Sequence, residues 1–197
     1  MIRNKQTLSV WKVKASKFPS KGKIEQQIKY LLRYAILAPS GHNSQPWKFI
    51  IEGKKLKVLA DMEQARAEVD PENRELFISV GCAIANIEIA AKHYKLQWKE
   101  KWWPKKEEPN LVLEIEFSQN RKVYPDVSPL FEAITRRSTY RGEFEAGKDV
   151  DRETLKNGDR QLRSKIAKLR WIERKEEKEK VGALVESAQK VWFRSRK

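Results

Sequence analysis

Cysteine and histidine are scarce in this 197-residue chain, which has one cysteine and two histidines. The single thiol, Cys82, cannot form an internal disulfide, and its apolar neighbours predict a small buried hydrophobe rather than a nucleophile. No group of residues has metal-ligand spacing, and neither a Gly-x-Ser-x-Gly motif nor a Walker-type loop is present. The sequence therefore argues against a metal site, against a serine hydrolase of that type and against P-loop nucleotide hydrolysis.

Long apolar runs are also missing. The longest stretch with little charge, Leu76–Ile87, is shorter than the roughly 20 residues that a membrane-spanning helix needs. The N-terminus carries charges but lacks the apolar segment of a signal peptide. Together with the unpaired cysteine, these features predict a soluble cytoplasmic protein that does not bind a membrane.

Acidic residues are too few to balance the basic ones, and the formal net charge is +15. The excess lies at the two ends of the chain: residues 1–30 and 151–197 are strongly basic, whereas the segment between them is almost neutral. A nucleic-acid-binding module places its basic residues on the folded recognition face. Specific binding to nucleic acid is therefore not expected, although the basic ends could bind polyanions weakly and in a salt-dependent way.

The first half of the chain has the periodicities of one helix and one hairpin. Apolar residues at helical spacing predict a helix over Ile24–Ala38, which Pro39 ends. Two alternating runs, Trp47–Glu52 and Leu56–Ala60, flank Gly53 and predict two antiparallel strands.

A second helix is predicted from Asp70 as its N-cap and Pro71 as its first helical residue. Its segment Arg74–Ala91 is apolar on all sides, which is typical of a helix buried at the centre of a domain. His93, near the end of this helix, is interpreted as structural.

Further along the chain, Gln97–Trp103 and Leu111–Phe117 alternate and predict an antiparallel pair. The expected inward residues of this pair are Trp98, Trp102, Leu111, Leu113, Ile115 and Phe117. The remaining predicted elements are a helix from Ser128 into Arg137, a short helix capped by Asp151 that ends near Gly158, a strand over Lys168–Ile172, and an amphipathic helix over Lys175–Trp192 with Val181, Leu184, Val185 and Ala188 facing inward. The fold class is α+β, with an antiparallel-dominated sheet flanked by helices around a buried central helix.

The loop Ala38–Trp47 is the most informative segment. It reads Ala-Pro-Ser-Gly-His-Asn-Ser-Gln-Pro-Trp and joins a helix to a strand. Its neutral side chains offer hydrogen-bond donors and acceptors, and Gly41 allows close approach to the backbone. From these residues alone, an ordinary polar connection and a small-molecule-binding loop both remain open.

This loop resembles the flavin-contacting segment of the nitroreductase family, whose members depend on FMN. Residues Ala133–Phe144, which contain Arg-Arg-Ser-x-x-Arg-x-x-Phe, are similar to the family's segment that binds the phosphate and ribityl chain. Between the two, Arg74–Ala91 resembles the buried central helix of the family's Acg-like branch. The joint occurrence of three blocks is more specific than any one of them.

The order of the blocks matches the Acg-like branch, in which two nitroreductase-like halves are fused into a pseudo-dimer. The resemblance implies a basic N-terminal lead-in over residues 1–23, a first half over 24–127 and the start of a second, incomplete half over 128–197. It also implies a homodimer or a fused-dimer-like arrangement. Members of that branch are longer, so the chain is expected to be truncated at its C-terminus. A fragment, a natural truncation and a shorter homologue that pairs with another copy remain equally open.

The same resemblance assigns the residues of the expected flavin site. Those expected to contact FMN are Pro39, Ser40, Asn43, Arg136, Arg137, Ser138 and Arg141, with Arg137 the weakest assignment; the first three would hold the isoalloxazine edge and the others the phosphate and ribityl chain. Bidentate guanidinium donors and hydroxyls suit a phosphate dianion, although without the resemblance a basic surface turn is the simpler interpretation. Gln45 and Trp47 are expected to be structural supports.

The implied activity is hydride transfer from NAD(P)H through flavin to a nitroaromatic or quinone-like acceptor. The flavin carries such chemistry itself, so no catalytic acid–base pair is required. His42 is a weak candidate for contact with substrate. The alternative is a non-catalytic relative that binds or sequesters FMN, and NAD(P)H turnover distinguishes the two.

Overall fold

The structure is a computed structural model and describes residues 10–140, 142, 143, 145, 147–161 and 167–194. The chain divides into two compact units with a boundary between Thr139 and Tyr140. The division into the segments 1–23, 24–127 and 128–197 stays a prediction.

The first unit contains a four-stranded antiparallel sheet in the order β1-β2-β4-β3. Its strands are β1 (Trp47–Glu52), β2 (Lys55–Ala60), β3 (Leu96–Trp102) and β4 (Leu111–Arg121). Both predicted antiparallel pairs are confirmed, and β4 lies between β2 and β3. The register of β2 with β4 shifts between Val58 and Leu59.

Three helices accompany this sheet: α1 (Ile24–Ala35), α2 (Arg74–His93) and α3 (Ser128–Arg136). α1 ends three residues before the predicted Ala38, because the amides of Leu37 and Ala38 bond back to Tyr34 and Ala35 in tight turns. Pro39 therefore follows the end of the helix without being its immediate cause.

The start of α2 was predicted three residues too early. Asn73, whose backbone is left-handed at φ 56°, precedes the first helical residue, Arg74. Asp70 nevertheless serves this helix end, because its Oδ2 accepts a hydrogen bond from the Leu76 amide at 3.0 Å. Burial raises the pKa of the Asp70 carboxyl, but hydrogen bonds from the amides of Leu76, Glu75 and Arg74 outweigh that effect and lower it.

The core lies between α1, α2 and one face of the sheet. Alternate residues of the two central strands form this face, and each of the following is at most 4% exposed: Leu56, Val58, Ala60, Leu113, Ile115 and Phe117. α1 contributes Ile28, Leu31, Tyr34 and Ala35. Burial of such apolar surface contributes about 25 cal/mol per Å2 and is the main force that holds these layers together.

α2 was expected to be buried on all sides, and this is wrong for one side. Its core-facing residues are buried, but the side chain of Ile78 is 66% exposed and Ala85 is exposed as well. α2 is long and apolar enough to cross a membrane by length and composition, and 44% of its apolar stretch is buried inside the protein. Because its buried residues pack in the core of the first unit, we assign it to that core. Trp102, predicted to face inward from β3, is 43% exposed.

The described part of the segment before α1 packs against the core. It contains a 3-10 turn at Ala15–Lys17, and the ring of Phe18 stacks on Tyr94 with centroids 3.7 Å apart. The hydroxyl of Tyr30 donates to the carbonyl of Lys14 at 2.5 Å. Trp11 and Val13 also pack against the core.

The second unit contains α4 (Arg152–Gln161) and α5 (Lys175–Arg194). Asp151 caps α4 as predicted, since its Oδ1 accepts from the Thr154 amide at 2.8 Å. The predicted strand over Lys168–Ile172 is wrong, because these residues are in irregular structure. The apolar face of α5 is exposed rather than inward, with Leu184 70% and Val185 51% exposed.

Candidate functional site

The loop between α1 and β1 is held by a short chain of internal hydrogen bonds. Gly41–Asn43 forms a single 3-10 turn, and the amides of Asn43 and Ser44 bond to the carbonyls of Ser40 and Gly41. The hydroxyl oxygen of Ser40 accepts from the Gln45 amide at 3.0 Å. The loop therefore has one defined backbone course despite its polar sequence.

This loop concentrates unusual backbone conformations. His42, Asn43 and Gln45 have φ values of 52°, 57° and 49°, in the left-handed region. This conformation costs an L-residue roughly 1–2 kcal/mol, although asparagine tolerates it better than most. Such residues cluster at functional sites, where the surroundings hold the chain in place.

Gly41 lies directly against α2. Its amide donates to the hydroxyl of Ser79 at 3.2 Å, and that hydroxyl donates to the Glu75 carbonyl at 2.8 Å. A Cβ at Gly41 would overlap the Glu75 carboxylate. The loop, the segment 64–70 and α2 line a cavity of about 20 Å3, which suits a water molecule and not a flavin ring. Sequence reasoning did not find Ser79, because a serine within an apolar helix carries no motif.

Gln45 and Trp47 support the loop, as predicted. The Gln45 side-chain amide donates to the Ile36 carbonyl at the end of α1, at 3.3 Å. Trp47 is only 8% exposed and belongs to the core. Both residues fix the loop between α1 and β1.

Of the two predicted arginines that the structure describes, Arg137 contacts the segment that leads into this loop. It follows α3 directly, and its guanidinium donates to the Leu37 carbonyl at 3.5 Å and to Thr139 Oγ1 at 3.3 Å. The guanidinium carbon also lies 5.7 Å from the ring centroid of Trp11. Its Nε is buried and has no hydrogen-bond partner among the described residues. Trp11 gave no sequence signal, because it lies far from the recognised blocks.

Arg136 and Ser138, on either side of Arg137, are exposed. Arg136 forms an ion pair with Glu132 one turn earlier on α3. With Phe131, Thr135 and Tyr34 it also lines a cavity of about 200 Å3 beside the N-terminal segment. Arg141 lies outside the described residues.

The predicted loop residues differ in exposure. Ser40 is half-buried, whereas Pro39, His42 and Asn43 are exposed. The described structure thus brings Arg137 to the Leu37 carbonyl just before the loop, and places Arg136 and Ser138 at the surface without contact to it.

Two further groups near this region have shifted pKa values. Burial raises the pKa of the Cys82 thiol on α2, and the positive charge of Arg137 only partly offsets that effect. Burial lowers the pKa of His93, and the Asp126 carboxylate acts in the opposite direction. The His93 ring stacks on Phe131 with centroids 3.6 Å apart, in keeping with the structural role assigned to it.

The exposed donors fit part of an FMN site. The guanidinium of Arg136, which is paired with Glu132, and the hydroxyl of Ser138 are exposed to solvent, from which a phosphate would approach. Ser40 and Asn43 offer neutral polar groups for a flavin edge. The inward guanidinium of Arg137 fits the positioning of the loop better than contact with a phosphate. The described residues therefore supply one open wall of such a site.

No family model matches the sequence. The chain is 30% identical over 76 residues to the "Putative NAD(P)H nitroreductase Rv3131" of Mycobacterium tuberculosis, a match that covers 39% of this chain and 22% of that protein. It is 27% identical over 124 residues to the "Putative NAD(P)H nitroreductase acg" of the same species, covering 63% and 38%. A third relative there, "Uncharacterized protein Rv3127", is 27% identical over 124 residues, covering 59% and 36%.

These similarities support a distant relationship to the nitroreductase family. The matched part of the chain spans between 22% and 38% of the length of these three relatives. The mixed helical and antiparallel fold is compatible with that relationship.

Proposed function

We propose that this chain forms part of an FMN-binding oxidoreductase of the nitroreductase type. In this proposal hydride passes from NAD(P)H through the flavin to a nitroaromatic or quinone-like acceptor. The carrying observation is the loop Ala38–Trp47, in which three non-glycine residues have a left-handed backbone, together with the bond from Arg137 to the Leu37 carbonyl just before it. The names of the distant relatives support the same assignment.

Each side of the site has its own task. Ser40 and Asn43 would hold the flavin edge by hydrogen bonds, and Pro39 would pack beside it. Arg136, Ser138 and Arg141 would hold the phosphate and ribityl chain. FMN, when bound, supplies the hydride chemistry, so the protein has to orient the ring and to exclude water.

Arg137 links the two sides in this proposal. Its side chain contacts the Leu37 carbonyl two residues before Pro39, which sets the position of the loop relative to α3. A change at Arg137 should therefore affect affinity for FMN through the position of the loop.

Titration with FMN tests the proposal, with quenching of flavin fluorescence as the readout. Ser40→Ala and Ser138→Ala should each weaken binding by about tenfold, the value of one hydrogen bond to a charged or buried group. Ser44→Ala is the matched control in the same loop and should bind FMN as the unchanged protein does. Equal losses in all three variants, or no FMN binding at micromolar protein, would contradict the assignment.

Arg136→Gln tests the phosphate side, with Arg152→Gln on α4 as its control. Loss of a guanidinium that faces a phosphate should cost about tenfold or more in affinity, whereas the control removes equal charge elsewhere. Equal effects of the two changes would indicate a general charge effect.

Consumption of NAD(P)H decides between catalysis and sequestration. The proposed enzyme should consume NAD(P)H in the presence of a quinone or nitroaromatic. Tight FMN binding without turnover would favour the flavin-sequestering alternative. Light scattering with and without FMN tests the proposed homodimer or fused-dimer-like arrangement, since a site shared between two copies predicts a mass that increases with FMN.

A further inference from the structure

The segment before α1 and α1 itself have an excess of positive charge that the fold does not neutralise. Between residues 14 and 33 the sequence has six basic residues and one acid, Glu25. All six basic residues are exposed, and none forms an ion pair with another residue that the structure describes. We call them the basic surface: Lys14, Lys17, Lys21, Lys23, Lys29 and Arg33.

The stability of the fold does not account for these charges. On the sheet, lysines are paired with carboxylates; Lys57 Nζ, for example, lies 2.8 Å from Glu52 Oε1. In the basic surface, Lys21 and Lys23 lie at the amino end of α1, where the partial positive charge of the helix makes a cation unfavourable. Unpaired cations at an unfavourable position suggest an anionic partner.

Contacts with the core fix the segment that precedes α1. The Tyr30 hydroxyl donates to the Lys14 carbonyl at 2.5 Å, and the ring of Phe18 packs edge-on against Tyr30 with centroids 5.8 Å apart. The guanidinium of Arg121, at the end of β4, donates to the Ser20 carbonyl at 2.9 Å. The lysines of this segment are therefore held beside α1.

The two parts of the basic surface meet at Tyr30. Its hydroxyl contacts the Lys14 carbonyl, and the guanidinium carbon of Arg33 lies 5.5 Å from its ring centroid. Lys29 and Arg33 are one helical turn apart and share a face of α1. From Ile24 to Arg33 the helix extends about 14 Å, and that length of a nucleic-acid duplex has about eight phosphates. Several phosphates can therefore be contacted at once.

The aromatic rings of this region face the core. Tyr30 is 8% exposed, the ring of Phe18 stacks on Tyr94, and no large apolar side chain between residues 14 and 33 is exposed. Surfaces that bind single-stranded nucleic acid use exposed rings to stack on bases, and amphipathic segments that bind membranes insert apolar side chains. A surface that offers charge without exposed rings fits the phosphate backbone of a duplex better than either.

We propose that the basic surface binds the phosphate backbone of double-stranded nucleic acid without reading its sequence. Lys14, Lys17, Lys29 and Arg33 contact phosphates in this arrangement, and Arg121 positions the segment. Binding is electrostatic and weakens as the salt concentration rises. It goes beyond the proposed oxidoreductase function and requires neither FMN nor turnover.

The full chain is titrated into a fluorescein-labelled DNA duplex of about 20 base pairs, with anisotropy as the readout, between about 50 and 200 mM salt. The double variant Lys14→Gln, Lys17→Gln should bind about tenfold or more weakly at the lower salt. It should also reduce the slope of log affinity against log salt by about 2, since each lysine on a phosphate contributes about 0.9.

The double variant Lys101→Gln, Lys106→Gln is the matched control. Both lysines are exposed, lie on β3 and in the turn after it, and form no ion pair with a described residue. This control removes the same charge and should leave the salt slope unchanged. A second duplex of unrelated sequence should bind with the same affinity as the first.

Acetylation of lysines, followed by mass spectrometry, gives a second readout that does not depend on a variant. The duplex should protect Lys14, Lys17 and Lys29 and leave Lys101 reactive. No binding at micromolar protein and low salt, an equal loss in the two double variants, or equal protection of all four lysines would overturn the proposal. Tighter binding to vesicles that contain phosphatidylserine than to the duplex would also overturn it, in favour of a membrane.

Discussion

Glycine at His42 should stabilise the protein, although glycine usually destabilises a folded chain. His42 has φ 52°, and its side chain is exposed. Relief of the left-handed conformation contributes roughly 1–2 kcal/mol, and the greater freedom of glycine in the unfolded chain costs roughly 0.5–1 kcal/mol. The net expectation for His42→Gly is a gain of about 0.5–1 kcal/mol in the free energy of unfolding.

Ser44→Gly is the control from the same loop. Ser44 has φ −68°, an ordinary right-handed value, so glycine brings only the entropic cost of about 0.5–1 kcal/mol. Asn43→Gly should have almost no effect: asparagine tolerates φ 57° better than histidine, so less strain is relieved, and that smaller gain roughly offsets the same entropic cost. The predicted order of stability is therefore His42→Gly above Asn43→Gly above Ser44→Gly.

Urea unfolding followed by tryptophan fluorescence and circular dichroism measures these differences. The free energies of unfolding of His42→Gly and Ser44→Gly should differ by about 1–2 kcal/mol, which is well above the error of paired urea midpoints. His42→Gly that is no more stable than Ser44→Gly would refute the reasoning, since the loop would then hold no strain at that residue.

Three further predictions concern half-buried polar groups. Burial, then the nearby Glu100 charge, raises the pKa of Glu88, so stability falls as pH rises from the ordinary carboxyl range to the folded-state pKa and stays at that lower level above it. Glu88→Gln should remove that slope and raise the urea midpoint at pH 7, and an unchanged midpoint would contradict this. Burial lowers the pKa of His93, so stability is lost as pH falls from the ordinary histidine pKa of about 6.5 towards the folded-state pKa. His93→Phe keeps the stack on Phe131 and should remove this pH dependence of stability. Thermal unfolding at several pH values measures it. Tyr94→Phe removes the 2.7 Å hydrogen bond to the Tyr34 hydroxyl and should lower the free energy of unfolding by about 1–2 kcal/mol. The loss should be much smaller in a protein that already carries Tyr34→Phe. Additive losses in this double-mutant cycle would contradict the coupling.

The strands of the first unit could be predicted because their alternation and turn residues agree with the buried face that they form. Phe49 and Ile51 alternate with Lys48 and Ile50, and Gly53 adopts the positive φ of 59° that the turn requires. Local pattern and tertiary packing point the same way there.

The errors arose where contacts outside the local sequence pattern decide the structure. Asp70 caps α2 from six residues away, which moves the helix start to Arg74, and no local signal distinguishes this from a direct N-cap. The apolar spacing of Val181 and Leu184 indicates that α5 is amphipathic, but periodicity does not show what covers the apolar face. In the described structure this face is exposed.

Only part of the candidate site could be predicted from the sequence. The loop was found from its residues, but the left-handed conformations of His42 and Gln45 were not, because neither residue prefers them. Arg137 was the weakest of the arginine assignments. In the structure its side chain turns inward over Trp11 at the end of α3 and contacts the Leu37 carbonyl.

Retention of FMN after desalting tests the central claim most directly. Purified protein is mixed with FMN, passed through a desalting column and examined for visible absorption, in parallel with a protein that carries Ser40→Ala and Asn43→Ala. The account predicts a retained flavin band in the unchanged protein and a much weaker one in the double variant. A colourless unchanged protein, or equal retention in both, would contradict the claim that this loop binds FMN.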